Sequence, residues 1–134
     1  MITNPGLPIE KRTVLVVDDD PALVGAINAL LTAGAYAVHP AYDGVEAVEA
    51  FDTQHPDLVL LDLAMPGRDG LNVIHEIRTR SATPIIVLTG SSGPEVEGRV
   101  LEMGADDYIA KPFDANVLVS RVKAAFRRLR LAAA

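Results

Sequence analysis

The chain has 134 residues, 49% of them hydrophobic and 22% charged, with no cysteine and a formal net charge of −6. That length suits one domain with an ordinary core, and the composition excludes disorder over most of the chain. Disulfides, thiolate metal sites and thiol nucleophiles are excluded as well, and no apolar run reaches membrane-spanning length.

The charge is unevenly spread. Residues 121–134 hold Arg121, Lys123, Arg127, Arg128 and Arg130 without an acid, so residues 1–120 carry a net −11. An acidic excess of that size argues against nucleic-acid binding by this domain. The basic end reads as a solvated helix face or a protein contact. Residues 1–11 form a loose tail whose first ten residues hold two prolines and a glycine and lack the apolar core of a signal peptide. A soluble, cytoplasmic protein with no membrane contact is expected.

In chain order, Thr13–Val17 is a β-branched apolar run, a first buried strand that ends on Asp18, Asp19 and Asp20. Pro21 then suits the first position of a helix, with Asp20 as its N-cap. Leu23, Ile27, Leu30 and Leu31 share one face of that helix, and Gly34 is a natural stop. A weaker strand spans Tyr36 to His39. Asp43 with Glu46 opens a second helix in capping-box fashion, its apolar positions being Val45, Val48 and Phe51.

Leu58 to Leu61 run without alternation, as a strand covered on both faces does, and stop on Asp62. Pro66, Gly67, Asp69 and Gly70 follow as turn and helix-start signals. A helix near Leu71–Arg80 carries Ile74 and Ile77. The fourth strand, Pro84–Leu88, ends at Thr89, and residues 90–93 form a loop. Val96, Val100 and Met103 mark a short helix. Asp107–Ala110 is a fifth strand ending at Lys111-Pro112, and Leu118, Val122, Ala125 and Leu129 stripe the last helix.

This alternation predicts a doubly wound (βα)5 domain with a parallel sheet and right-handed crossovers. Asp18, Asp19, Asp62, Thr89 and Lys111 then all sit at carboxyl ends of strands, the edge where open α/β sheets build their sites. Three converging carboxylates repel unless a cation neutralises them. An all-oxygen set without His or Cys suits a hard cation, Mg²⁺ first and Mn²⁺ next. His39, His55 and His75 lie apart from this edge and read as structural or solvent-facing. Thr89 and Lys111 are natural ligands for phosphoryl oxygens, and an Asp carboxylate can be the nucleophile that forms an acyl phosphate. The constellation is built to accept a phosphoryl group.

The stretches VLVVDDDPAL, PDLVLLDLAMPGRDG, PIIVLTG and GADDYIAKPF occur in this order. With them the chain resembles the receiver domain of bacterial two-component response regulators over residues 12–130, leaving 131–134 as the start of a linker or tail. The resemblance implies a flavodoxin-like fold with strand order 2-1-3-4-5. It implies that Asp62 is the phosphoacceptor, charged by a sensor histidine kinase. Asp18, Asp19, Asp62 and the Ala64 backbone carbonyl would hold the metal. Thr89 and Lys111 would bind phosphoryl oxygens, Thr89 and Tyr108 would form the switch pair, and the bond before Pro112 would be cis. Such a domain is a switch rather than a turnover enzyme, although it promotes its own phosphorylation and dephosphorylation.

The C-terminal third is similar to the subfamily with winged-helix DNA-binding output. That similarity implies a phosphorylation-driven homodimer through helix 4, strand 5 and helix 5. Arg99, Asp106, Asp107, Arg121 and Arg128 match the charged positions of that face. Val117 departs, standing where the family usually has Glu, and Gly90 is smaller than the usual Ala. DNA would be contacted only through an output domain that this sequence does not contain; the alternative is a stand-alone receiver working by protein contact or in a phosphorelay.

Other phosphate chemistries fit less well. A phosphatase of the haloacid dehalogenase type would need Thr or Val at Ala22. A nucleotide binder would want glycines where three aspartates stand, and a flavodoxin would want hydroxyl and glycine residues there.

Overall fold

The computed structural model describes residues 12–64, 70–90 and 93–133. The expected tail at 1–11, the turn residues Pro66, Gly67 and Asp69, and part of the 90–93 loop lie outside the described residues. The elements alternate as β1 (Thr13–Val17), α1 (Pro21–Ala33), β2 (Ala37–Ala41), α2 (Gly44–Gln54), β3 (Leu58–Asp62), α3 (Gly70–Arg78), β4 (Ile85–Thr89), α4 (Pro94–Glu102), β5 (Asp107–Ala110) and α5 (Ala115–Ala133). All strand pairs are parallel, in the order β2-β1-β3-β4-β5, which is the flavodoxin-like, doubly wound architecture.

Strand periodicity explains why the central runs do not alternate in polarity. Leu15, Val17, Val59, Leu61, Ile85 and Val87 point to one face, against Ala47 and Phe51 of α2, Val73, Ile74 and Ile77 of α3, and Val100 of α4. Their neighbours Val14, Val16, Leu58, Leu60, Ile86 and Leu88 point to the other, against Val24, Ile27 and Leu31 of α1 and Leu118, Val122, Ala125 and Phe126 of α5. Both faces are covered, so every position must be apolar.

The predicted caps form. Asp20 accepts from the Ala22 N–H at 3.0 Å, and Asp43 accepts from the Glu46 N–H at 2.8 Å. The return bond of the second cap differs from a standard capping box: the Glu46 carboxylate takes the Tyr42 N–H at 3.3 Å. At the end of α1 the left-handed backbone falls on Ala35 (φ 70), while Gly34 has φ −87.

Several boundaries and faces differ from expectation. β2 runs to Ala41 and contains Pro40, because β2 pairs only with β1 and the N–H that proline lacks falls on the free edge. α3 spans Gly70–Arg78, a turn-end shift from Leu71–Arg80. Val45 is 58% exposed; Ala47, not Val45, joins Phe51 in the core. Leu129 is exposed as well, and Phe126 is the last buried side chain of α5 among the described residues. α5 itself continues to Ala133. Among the described residues, no helix is long and apolar enough to cross a membrane.

At the amino edge of the sheet, Arg78 ties two loops together. Its guanidinium donates to the carbonyls of Gly104 (2.9 Å), Ser81 (3.2 Å) and Thr83 (2.7 Å), and to Asp106 Oδ2 at 2.9 Å. Gly104 (φ 113) lets this happen: a Cβ there would lie 3.0 Å from the Arg78 Cγ.

Candidate functional site

The register of the sheet assembles the carboxyl edge. Val17 is level with Leu61, so Asp18, one step on, emerges beside Asp62, the last residue of β3. Thr89, the last residue of β4, is level with Ala110, so Lys111 emerges beside it, and the Lys111 N–H donates to the Thr89 carbonyl at 2.8 Å. The peptide bond between Lys111 and Pro112 is cis. Asp18 is anchored by its own N–H to the Ala41 carbonyl (3.1 Å), and its Oδ1 accepts the Asp20 N–H at 3.0 Å.

Asp18, Asp19 and Asp62 bring carboxylate oxygens within 4.8 Å of one another, Asp19 being the exposed member. Asp18 and Asp62 are only 1% and 5% exposed. The Lys111 ammonium lies against this pair, 2.6 Å from Asp18 Oδ2 and 3.6 Å from Asp62 Oδ1. The Ala64 N–H donates to Asp62 Oδ1 at 3.4 Å. Thr89 is fully buried, and Tyr108 is half-buried with its side chain packed on the α2–α4 side of the sheet.

Burial pushes the Asp62 carboxyl above its ordinary value of 3.8, and the charge of Asp18 pushes it further. The Lys111 charge and the Ala64 N–H only partly offset this, and Asp19 adds to the rise. For Lys111, burial acts downward, but the Asp18 hydrogen bond and the Asp62 and Asp18 charges outweigh it, leaving the ammonium pKa above 10.5. Lysine is therefore charged at neutral pH and serves as the counter-ion of the acidic pair.

A folded pKa raised above the unfolded one means that the native state binds the proton more tightly. The Asp62 contribution to stability is then fully present below pH 3.8 and is lost as pH rises through the elevated value. In metal-free buffer, urea midpoints measured across the acidic range should show this fall superimposed on the other titrations. Asp62→Asn should flatten it; an unchanged pH profile in that variant would show that Asp62 is not the strained carboxylate.

The residues expected on the α4-β5-α5 face sort into two groups. Arg99 and Arg128 are exposed. Asp106 and Asp107 are engaged within the chain: Asp106 Oδ2 accepts from Arg78 and from the Ile85 N–H (2.8 Å), and Asp107 Oδ1 pairs with Arg121 at 2.7 Å. Val117 and Leu101 are exposed apolar side chains on α5 and α4.

One residue at the site was read from sequence only as a turn and helix-start signal. Gly70 is buried, and its N–H donates to the Leu63 carbonyl at 3.0 Å. A Cβ on it would lie 2.6 Å from the Leu63 Cα and 2.8 Å from the Asp62 carbonyl oxygen. The backbone that carries Asp62 thus rests directly on a position that only glycine can fill. Its place eight residues after the strand-end carboxylate was the available signal.

Solved structures share this fold. The receiver domain of the Francisella response regulator 1452 is 31% identical with a TM-score of 0.85, covering 89% of this chain and 99% of that one. The BeF3-activated N-terminal receiver domain of Klebsiella pneumoniae RstA is 34% identical with a TM-score of 0.83, covering 87% and 99%. A CheY-like response regulator receiver domain protein from Methanospirillum hungatei JF-1 is 25% identical with a TM-score of 0.86, covering 92% and 99%. The sequence also matches the response regulator receiver domain family over residues 14–123. With the carboxyl edge of a 2-1-3-4-5 sheet carrying the acidic pair, the strand-end Asp, the threonine and the lysine, this chain belongs to the response regulator receiver domains.

Proposed function

We propose that the chain is a phosphorylation-controlled switch. Asp62 accepts a phosphoryl group from the phosphohistidine of a sensor histidine kinase, in the cytoplasm. The observation that carries this reading is the Lys111 ammonium placed against both Asp18 and Asp62, 2.6 and 3.6 Å away. A buried carboxylate with a fixed cation beside it is a nucleophile whose new negative charge has a counter-ion waiting. The similarity to a BeF3-activated receiver supports the same site.

An Asp62 carboxylate oxygen attacks phosphorus, the P–N bond of the phosphohistidine breaks, and its electron pair returns to the imidazole. An acyl phosphate results. Lys111 exchanges its contact with Asp18 for a phosphoryl oxygen, and the Thr89 hydroxyl and the Ala64 N–H serve the remaining oxygens. The donor set fits a hard divalent cation: carboxylate oxygens of Asp18, Asp19 and Asp62 lie close enough to share one ion, and the Ala64 carbonyl would add a further ligand. Mg²⁺ or Mn²⁺ held there would neutralise the carboxylates and the incoming phosphoryl charge.

The switch follows from packing. Thr89 moves toward the phosphoryl group, and Tyr108, half-buried beside it in the sheet, turns into the space released. Phosphorylation thereby shifts an existing equilibrium between two arrangements of the α4-β5-α5 face. On this reading the active form is a homodimer through that face, with Arg99, Asp106, Asp107, Arg121 and Arg128 as its charged contacts. Transcription is then controlled through a DNA-binding output domain. Transfer to Asp62 changes the state of the protein rather than turning over a substrate.

Intact mass after incubation with Mg²⁺ and acetyl phosphate tests the site. The native chain should gain one phosphoryl group, chelator should abolish the gain, and Asp62→Asn should show none. A native chain that stays unmodified under a large donor excess would overturn the reading.

A further inference from the structure

The edge of the sheet opposite Asp62 carries a charged feature that phosphotransfer does not use. Arg12 immediately precedes β1, Gly34 and Tyr36 lie between α1 and β2, and Lys123, Phe126 and Arg127 share a face of α5 at i, i+3 and i+4. These residues line an open cleft of about 350 Å³. The Phe126 ring stacks on Tyr36 with centroids 5.3 Å apart and planes 15° from parallel. The Arg12 guanidinium sits 5.0 Å from the Phe126 ring centroid, a cation–π contact that fixes the charge without neutralising it.

What distinguishes this cleft is that three unanswered positive charges gather in it. The chain has 18 carboxylates against 12 Lys and Arg, and Arg78, Arg80, Lys111 and Arg121 are each ion-paired. Among the described residues, Arg12, Lys123 and Arg127 have no carboxylate partner, and no acid lines the cleft with them. Three cations gathered in an acid-rich protein, one of them held in place by an aromatic stack, make a ready site for an anion from outside.

We propose that this cleft binds the phosphate groups of a small phosphorylated molecule of the nucleoside-phosphate class. Arg12 and Arg127 supply the planar forks that match phosphate oxygens, and Lys123 adds a third charge. Phe126 is buried between Tyr36 and Arg12, so the half-buried Tyr36 ring is the aromatic surface left at the cleft for a ring on the ligand, and the volume suits a small molecule. The −11 carried by residues 1–120 repels an extended polyanion, which favours a small ligand over nucleic acid. The five residues of β1 put this cleft roughly 17 Å from Asp18, so it is separate from the phosphoacceptor edge.

Amide NMR titration of the whole chain in magnesium-free, low-salt buffer tests this with pyrophosphate, ADP, sulfate and a short DNA duplex as probes. ADP and pyrophosphate should shift Gly34, Tyr36, Lys123 and Arg127 saturably, with Kd at or below about 1 mM. Lys123→Gln/Arg127→Gln, at two exposed positions, should weaken both at least tenfold while phosphorylation of Asp62 by acetyl phosphate is unchanged. Non-saturating shifts, equal binding by the double variant, equal binding of sulfate, or tighter binding of the duplex at these residues would each overturn the proposal. Loss of Asp62 phosphorylation in the native chain would leave this result unaffected, so the two readings fail separately.

Discussion

Lys111→Met is expected to lower the stability of the metal-free protein by about 2–3 kcal/mol at neutral pH, and to lower it less in acid. Asp18 and Asp62 are almost fully buried and share this one ammonium. Removing one partner of a buried pair leaves the other charge without compensation, which costs roughly 3–5 kcal/mol in a closed interior; the partial exposure of Lys111 reduces that figure. Lys111 holds the raised Asp62 carboxyl down, so without the lysine that carboxyl keeps its proton to higher pH and stability falls more steeply as pH rises. The response to Mg²⁺ should change in the opposite sense. The ammonium occupies Asp18 Oδ2, so its loss removes a competitor for the ion. Mg²⁺ should then raise the urea midpoint of the variant by more than that of the native chain. Phosphorylation by acetyl phosphate should slow by about 100-fold, the usual scale for removing one fixed charge from developing negative charge. Equal metal-free midpoints at pH 7 would show that the Lys111–Asp18 contact holds nothing together, and an unchanged rate would remove Lys111 from the phosphoryl site.

The fold was legible where both faces of an element are covered. β1, β3 and β4 are unbroken apolar runs because alternate residues enter two different cores, and a run of that kind leaves few choices of element. β2 was harder to read, since an edge strand tolerates Pro40 and its burial is partial. The helix faces failed in a particular way. Leu129 fits the periodicity of α5 but lies past the sheet: 19 helical residues extend about 28 Å, whereas a five-residue strand spans about 17 Å. Periodicity says which residues share a face; it does not say where the partner surface ends.

The site was legible for a topological reason. In a parallel sheet every strand end reaches the same edge, so Asp18, Asp62, Thr89 and Lys111 needed no three-dimensional information to be grouped. Their pairing did. Lys111 lies closer to Asp18 than to Asp62, which depends on side-chain reach rather than on order along the chain. The Arg78 bonds to Gly104 and Asp106 span 26 and 28 residues and left no local trace beyond a basic residue at a helix end. Asp106 shows the consequence: its Oδ2 is engaged by Arg78 and the Ile85 N–H, partners 28 and 21 residues away.

Gly70→Ala should be the most damaging single-methyl change near the site. The added Cβ would stand 2.6 Å from the Leu63 Cα and 2.8 Å from the Asp62 carbonyl oxygen, and both obstacles are backbone. A side-chain tip could rotate away; these atoms move only if the end of β3 moves. Asp62 is the last residue of β3, level with Leu88 of β4 and buried, and Gly70 begins α3, whose Val73, Ile74 and Ile77 are packed in the core. Neither element can retreat freely, so a destabilisation of about 3 kcal/mol is expected, toward the upper end of overpacking costs. Whatever displacement relieves the clash is passed to the carboxylate at the end of β3. A misplacement of about 1 Å can cost roughly 100-fold in a reaction that depends on in-line approach. Urea denaturation and acetyl phosphate kinetics separate the two effects, because the rate can be read at low temperature on fully folded variant. A normal midpoint would show that α3 slides to admit the methyl. A normal rate in a destabilised variant would place the strain in α3 and leave Asp62 where it stands.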